Sequence, residues 1–334
     1  MHDIDYSMNE SIEERINKIS KLIVNKLISV NENENVMIII DEDSELIMVK
    51  ALFNEVINSK ATPIIVTIPS NWKSHTTLPK PVQASLEYVD VVIGMTKKTA
   101  APSYDPEVAR LLKDKKIRYM SMVLRPLDNY INGAALADYE EVYSDAKRLS
   151  ELMRGNRIKV TTKLGTNIEA IIKGSRIIIE AGFATKPGES AAFSDGEVSY
   201  TPIEGTANGI VIVDGPIAYI GKPSEPLKLI IRNGRVIDIN GGREAMELIN
   251  MIKKTPNLDN LAEFGIGVNK AARLNGYWQE EKKAYGNLHI ALGDNIYYGG
   301  KTKCDIHMDL VIYKPTVEVD GRIIVKEGKL IFHE

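Results

Sequence analysis

Short, continuous apolar runs alternate with segments of helical periodicity in the first half of the chain, and this alternation restricts the fold more than any other feature. Strands that are apolar on both faces and separated by helices are typical of a parallel sheet covered on both sides. We therefore predict a Rossmann-like α/β domain over residues 1–154. The predicted strands are residues 35–40, 63–68, 89–94 and 118–123, and the predicted helices are residues 8–30, 45–58 and 138–153.

The pattern changes after Gly155, where short strand-like runs alternate with turns rich in glycine and asparagine. This pattern predicts a β-rich α+β domain over residues 155–334. An Asp-Gly turn at Asp320 predicts a hairpin within residues 316–325. The other predicted strands are residues 157–162, 168–172, 177–179, 209–213, 227–231 and 236–239, with helices at 242–254 and about 270–274.

Composition and missing motifs exclude several classes of protein. The net charge of -3 gives no electrostatic reason to expect nucleic acid or an anionic membrane as a partner. No run approaches roughly 18 apolar residues, and the acidic start of the chain lacks the apolar region of a secretory signal. Cys304 is the one cysteine, so no internal disulfide can form. No P-loop, dinucleotide-binding loop or serine elbow is present, and we expect a cytoplasmic protein.

Two of the five histidines fall in apolar, strand-like sequence in the last quarter of the chain. His289 begins His-Ile-Ala-Leu-Gly, and His307 precedes Asp309 by two residues. Side chains at positions i and i+2 of a strand share a face, so His307 and Asp309 can present an imidazole and a carboxylate to one cavity. That combination ligates Zn²⁺, Co²⁺, Mn²⁺ or Fe²⁺, although a surface pair on a half-buried strand would have the same pattern.

Acidic residues in apolar surroundings strengthen the indication of a cation site. Glu263 interrupts the apolar run of residues 261–267, and Glu197 lies in a second acidic segment. A lone buried carboxylate is costly unless it is neutralised, paired or bound to a cation. Glu263 therefore indicates a metal, or else a helix cap or an ion pair with Lys270 or Arg273.

Four motifs in this order resemble the C-terminal signature of the M29 peptidases, the family of aminopeptidase T and aminopeptidase S. The resemblance covers roughly residues 155–334, and the first half matches only in its α/β character. The motifs are Asp195-Gly196-Glu197-Val198, Ala262-Glu263-Phe264-Gly265-Ile266-Gly267, His289-Ile290-Ala291-Leu292-Gly293 and His307-Met308-Asp309-Leu310-Val311.

This resemblance implies a site for two divalent ions, Zn, Co or Mn, in the second domain. The implied ligands are Glu197, Glu263, His289, His307 and Asp309, with Glu263 as the bridging carboxylate and therefore a catalytic residue. Two ions can activate one water and polarise a scissile carbonyl together. The expectation is a metallo-aminopeptidase that removes N-terminal residues from short peptides and acts as a homodimer.

The chain departs from the M29 pattern at one ligand. Larger members carry a tyrosine seven residues after the first histidine, a position held here by Ile296. The adjacent Tyr297 and Tyr298 are therefore both candidate catalytic residues. The chain is also shorter than the aminopeptidases of that family, which bears on peptidase activity more than on metal binding.

Two alternatives to the peptidase stay open at this point. A related branch with the same fold resembles 2,5-dihydroxypyridine dioxygenase, in which two histidines and an aspartate hold one Fe(II). His289, His307 and Asp309 alone would satisfy that facial triad, leaving Glu197 and Glu263 as supporting or structural residues. The other alternative is a catalytically silent metal-binding scaffold. Metal content separates the three: two ions, one iron or none.

Overall fold

A computed structural model describes residues 10–74 and 76–332. The acidic start of the chain and the first two residues of the predicted helix 8–30 lie outside this range. The chain divides into two compact units, Met1–Leu136 with Gly182–Ser194, and Ala137–Ala181 with Asp195–Glu334. The predicted domain boundary between residues 154 and 155 stays a prediction.

The first unit contains a five-stranded parallel sheet with strand order β2-β1-β3-β4-β8. Its strands are β1 (Asn35–Asp41), β2 (Thr62–Ile68), β3 (Val91–Gly94), β4 (Arg118–Ser121) and β8 (Ser190–Ala192). Its helices are α1 (Ile12–Lys21), α2 (Leu46–Asn58), α3 (Lys80–Ser85), α4 (Ala101–Tyr104), α5 (Pro106–Lys113) and α6 (Leu127–Ile131).

The predicted helix 8–30 forms as α1 followed by a π-helical segment, Leu22–Leu27. Ser11 caps its start by accepting a hydrogen bond from the backbone N–H of Glu14, whose carboxylate accepts the N–H of Ser11 in return. The four predicted strands of this unit form. The strands β1, β3 and β4 are largely buried, whereas β2, at the edge of the sheet, leaves Ile64 and Ile65 exposed.

The second unit is antiparallel and contains two sheets, with strand orders β12-β11-β10-β6-β5-β16-β17-β18 and β15-β14-β13-β9-β7. The strands of the first sheet are β5 (Arg157–Thr161), β6 (Asn167–Ile171), β10 (Asn208–Val213), β11 (Leu227–Arg232), β12 (Arg235–Asn240), β16 (Thr316–Val319), β17 (Arg322–Lys326) and β18 (Lys329–Leu330). The strands of the second sheet are β7 (Ile178–Glu180), β9 (Glu197–Tyr200), β13 (Leu261–Gly267), β14 (Leu288–Gly293) and β15 (His307–Ile312).

The helices of this unit are α7 (Tyr139–Leu152), α8 (Arg243–Lys254) and α9 (Trp278–Glu281). One apolar core, which includes Leu149, Val160, Leu229, Phe264 and Leu310, joins α7 to both sheets. The α/β class with a β-rich second part is thereby confirmed. The predicted helix near residues 270–274 is wrong: residues 268–277 contain turns, and the helix begins at Trp278. In the described ranges no helix combines the length and apolar character needed to cross a membrane.

Candidate metal centre

Four adjacent strands of the second unit bring the five predicted metal ligands to one face of a sheet. Glu197 opens β9, Glu263 lies on β13, His289 on β14, and His307 and Asp309 on β15. The register places Ala291 opposite both Glu263 and Asp309, and pairs His289 with Gly265 two residues further along. Paired residues and residues two apart share a face, so all five side chains point the same way.

His289 lies among three carboxylates at the centre of this face. Its Nε2 is 3.6 Å from Glu197 Oε2, 3.5 Å from Glu263 Oε1 and 3.9 Å from Asp309 Oδ1. These separations are too long for strong hydrogen bonds. Ligands that share one ion, each about 2.0–2.3 Å from it, are separated by about 3–3.7 Å. The spacing therefore suits a shared cation better than direct contact.

His307 approaches the same carboxylates from the edge of the sheet. Its Nε2 is 2.9 Å from Glu263 Oε2 and 3.5 Å from Asp309 Oδ1, so the predicted side-by-side placement of His307 and Asp309 is seen. Its Nδ1 is 2.7 Å from the carbonyl oxygen of Asp294. A carbonyl can only accept, so Nδ1 carries a proton and the ring is held with Nε2 facing the carboxylates.

Unsatisfied buried atoms provide the test of whether a metal fits this site. In the described residues, Glu197 Oε2, Glu263 Oε1, His289 Nε2 and Asp309 Oδ1 are buried without a hydrogen-bond partner. Two groups of three residues could each hold an ion, because the ligand atoms within each group all lie within 4.8 Å of one another. The groups are Glu197, Glu263 and His289, and Glu263, His307 and Asp309. Buried carboxylates without donors are costly unless a cation is present, so the residues fit a divalent metal.

Two glycines of β13 make room for the centre. A Cβ on Gly265 would lie 2.1 Å from Cε1 of His289, so the imidazole occupies the space that a side chain would take. A Cβ on Gly267 would lie 2.2 Å from the carbonyl oxygen of Ala284. The absence of a side chain there lets the turn that carries Lys282 and Lys283 approach the strand closely.

Lys282 and Lys283 place two ammonium groups against the carboxylates. Lys283 Nζ is 2.8 Å from Glu197 Oε1 and 2.6 Å from Asp195 Oδ1. Lys282 Nζ is 3.2 Å from Glu197 Oε1 and 3.3 Å from Asp309 Oδ2. All four side chains of the charged run 280–283 are buried. The run packs onto β13 at Gly267.

The charges of this cluster stabilise one another. Burial alone would lower the pKa of Lys282, but Asp309 and Glu197 raise it well above its ordinary value. Burial alone would raise the pKa of Glu197, but Lys282, Lys283 and His289 lower it well below its ordinary value. The ammonium groups are therefore fixed positive charges at the centre. No local sequence signal distinguishes these lysines from a solvated pair.

The two candidate tyrosines lie in different environments. Tyr298 is buried, and its ring stacks on His307 with centroids 5.2 Å apart. Burial raises the pKa of its hydroxyl, and Glu263 adds to the rise, so the phenol is neutral. Tyr297 is 45% exposed and meets Tyr298 edge to face. The alternative partners considered for Glu263 are engaged elsewhere, Lys270 with Glu141 and Arg273 with Glu280.

Comparisons with known proteins add an independent line of information. A family model described as NicX, 2,5-dihydroxypyridine 5,6-dioxygenase, matches residues 21–332. A curated 2,5-dihydroxypyridine 5,6-dioxygenase from Pseudomonas putida strain KT2440 is 26% identical over 197 residues. That alignment covers 55% of this chain and 56% of the relative, so the chain matches just over half of that protein's length.

Two solved structures share the fold. The structure of the Pseudomonas putida KT2440 2,5-dihydroxypyridine dioxygenase superposes with a TM-score of 0.80 at 22% identity, covering 97% of each chain. Wild-type AmpT from Thermus thermophilus superposes with a TM-score of 0.73 at 10% identity, covering 96% of this chain and 100% of AmpT. The M29-like fold implied by the sequence motifs is therefore present.

Proposed function

The chain belongs to the NicX, 2,5-dihydroxypyridine 5,6-dioxygenase, family, and we propose that it is an iron(II)-dependent dioxygenase that opens a dihydroxypyridine ring. The observation that carries the proposal is the set of unsatisfied buried ligand atoms around His289 and Asp309 in a chain of this family. Because the curated relative is matched over just over half of its length, the ring substrate belongs to the proposal.

The aminopeptidase activity and the peptide substrate expected from the M29 resemblance are wrong. The family model that matches almost the whole chain is that of a ring-cleaving dioxygenase, as is the curated relative. AmpT shares the fold at 10% identity, and a shared fold does not carry a shared reaction. The metal-binding motifs therefore indicated the fold correctly, but they did not indicate the reaction. The expected homodimer stays a prediction.

For the iron we propose His289, His307 and Asp309 as ligands. Oδ1 of Asp309 is the oxygen that faces both imidazoles, at 3.9 and 3.5 Å from their Nε2 atoms. Two imidazoles and one carboxylate form the facial set that suits non-haem Fe(II) and leaves positions open. Glu263 lies between the two imidazoles, with Oε2 2.9 Å from His307 and the unsatisfied Oε1 3.5 Å from His289, so it is close enough to ligate as well.

The lysine pair favours one ion over two. A second ion held by the free Oε2 of Glu197 would lie next to Oε1 of the same carboxylate, which two ammonium groups already contact. Like charges at such short range in a buried site repel strongly. The ammonium groups of Lys282 and Lys283 therefore occupy the electrostatic position that a second divalent cation would need.

Bound iron would supply a redox-active centre where the ring and dioxygen meet. In the overall reaction the C5–C6 bond of the ring breaks and both atoms of one O₂ enter the product, so the substrate supplies the electrons and no external reductant is needed. The unsatisfied Oε1 of Glu263 is placed to accept the proton of a ring hydroxyl. Tyr298 holds His307 in place, and burial of the whole cluster keeps bulk water away.

Metal content and oxygen uptake test this proposal directly. The protein is purified without oxygen, loaded with Fe(II) and given 2,5-dihydroxypyridine. Ring opening is measured as the loss of the substrate's ultraviolet absorbance. We expect one iron per chain, one O₂ consumed per ring opened, and no turnover under strict anaerobiosis. Aminoacyl-nitroanilides serve as the control and should not be cleaved. Ring opening without oxygen, or an iron-loaded protein inert toward every hydroxylated pyridine, would overturn the assignment.

A further inference from the structure

The first unit also contains a buried charged side chain with unsatisfied polar atoms, Arg125. Arg125 is 4% exposed, and its Nε and Nη1 have no hydrogen-bond partner within residues 10–74 and 76–332. No carboxylate of that same part of the chain accepts a hydrogen bond from either atom. A guanidinium stays protonated in proteins. Arg125 is therefore a buried positive charge with two unsatisfied donor nitrogens.

Arg118, the first residue of β4, is a buried arginine of this unit that has a counter-charge, although its Nε also lacks a hydrogen-bond partner. It is 3% exposed, and both terminal nitrogens of its guanidinium donate to the carboxylate of Glu34. The distances are 3.0 Å from Nη1 to Oε1 and 2.5 Å from Nη2 to Oε2. This is the two-pronged geometry that arginine forms with carboxylates. Arg125 has the same burial and lacks such a partner.

The surroundings of Arg125 suit a small oxyanion. Arg125 follows the carboxyl end of β4 by four residues, after Leu124, whose N–H donates to the carbonyl of Thr96 beyond β3. Ser194 follows the end of the adjacent strand β8 by two residues, and its hydroxyl is fully buried and also unsatisfied. Ligands of open parallel sheets bind at the carboxyl ends of the strands. A cation and a hydroxyl donor are thus free at one such edge.

We propose that Arg125 and Ser194 form a binding site for a small carboxylate monoanion at the carboxyl edge of the parallel sheet. The guanidinium fork matches a planar carboxylate, and the hydroxyl supplies one further donor. One buried positive charge balances one negative charge. A phosphate monoester, with about two negative charges, would leave one buried and uncompensated. The site is in the first unit and does not depend on iron or on the proposed ring opening.

The test uses the full-length protein, with and without iron, and acetate and benzoate as probes at constant ionic strength. We expect either carboxylate to raise the midpoint of thermal unfolding by roughly 5 °C at saturation, and chloride to have no comparable effect. Arg125→Met should remove this shift and lower carboxylate affinity at least about 100-fold. Without any anion, Arg125→Met should unfold at a higher temperature than wild type, because it removes an uncompensated buried charge.

The matched control is Arg118→Met, which breaks the buried ion pair with Glu34 and should lower the unfolding midpoint while leaving the carboxylate shift intact. Ser194→Ala should keep the fold and weaken carboxylate binding about 5-fold. An equal carboxylate shift in Arg125→Met and wild type would overturn the site, as would an unfolding midpoint of Arg125→Met that falls like that of Arg118→Met. A larger shift with phosphate than with acetate would overturn the ligand class.

Discussion

Buried carboxylates in the two units differ in one respect that matters for function. In the first unit, Asp41 accepts hydrogen bonds from the backbone N–H groups of Lys97 and Lys98 on one oxygen and from the hydroxyl of Ser44 on the other. Asp105 accepts four hydrogen bonds, two on each oxygen. In the second unit, Glu197, Glu263 and Asp309 are equally buried, yet each has an oxygen without a donor.

This contrast shows that burial of a charge does not by itself indicate a ligand site. Asp41 lies at the carboxyl end of β1, next to the crevice where open α/β sheets bind ligands. Its carboxylate accepts from the backbone N–H groups of Lys97 and Lys98, so these two amides are not free to bind an anion. A ligand site is indicated by buried polar atoms that lack a hydrogen-bond partner. In the second unit such atoms lie at the candidate metal centre, and in the first unit they include two nitrogens of Arg125.

The largest effect expected from this contrast is the loss of a metal ligand. His307→Ala should lower iron content below about one tenth per chain and ring-opening turnover by about a thousand-fold or more, because one of three ligands is gone. Metal analysis and oxygen uptake check this, with Asp41→Asn as the control that should keep its iron. Full iron content in His307→Ala would show that the unsatisfied atoms of the second unit do not mark a metal site.

A satisfied carboxylate should show its role in stability instead. Asp105→Ala leaves the N–H groups of Leu78, Glu107 and Val108 without an acceptor and removes the cap of α5. We expect the free energy of unfolding to fall by about 3 kcal/mol, measured by denaturant titration, with iron content per folded chain unchanged. Asp105→Asn keeps an acceptor oxygen and should cost less. Loss of iron in Asp105→Ala with unchanged stability would reverse the comparison.

The lysine pair predicts an intermediate effect on metal stoichiometry. Lys282→Met frees Asp309 Oδ2 and removes one positive charge from beside Glu197. Binding of a second Zn²⁺ or Mn²⁺ should tighten at least about 10-fold, so that the variant approaches two ions per chain by equilibrium dialysis. Lys270→Met, which removes a half-exposed lysine paired with Glu141, should leave the count at one. Two ions in the wild type would contradict the role of the ammonium groups.

The smallest effect concerns the glycine beneath the imidazole. Gly265→Ala places a methyl group where the His289 ring lies, so the ring must shift from its position among the carboxylates. We expect iron affinity to fall about 10–100-fold, as when a group that orients a ligand is lost. Gly242→Ala meets only the ends of flexible side chains and serves as the control. Unchanged affinity in Gly265→Ala would mean that the centre tolerates a displaced ring.

Much of this architecture follows from local sequence, because periodicity and apolar runs reflect which face each residue buries. The parallel strands before residue 136 and the convergence of His307 and Asp309 are of this kind. β8 escapes prediction because three small residues carry no pattern. The burial of Lys283, 1% exposed, depends on Gly267 and on carboxylates of other strands, which local sequence does not reveal. The unsatisfied nitrogens of Arg125 cannot be predicted either, because they result from the absence of partners in the folded chain.

Ammonium groups that are part of the chain cannot be chelated or diluted away. Lys282 and Lys283 therefore stay beside Glu197 and Asp309 whatever the supply of metal, and the strands that carry the ligands keep part of their counter-charge when iron is scarce. Small zinc domains, in contrast, fold only with their ion. On the proposed iron assignment, a cell short of iron would hold this protein folded and inactive, and the protein would regain activity by binding an ion without having to refold.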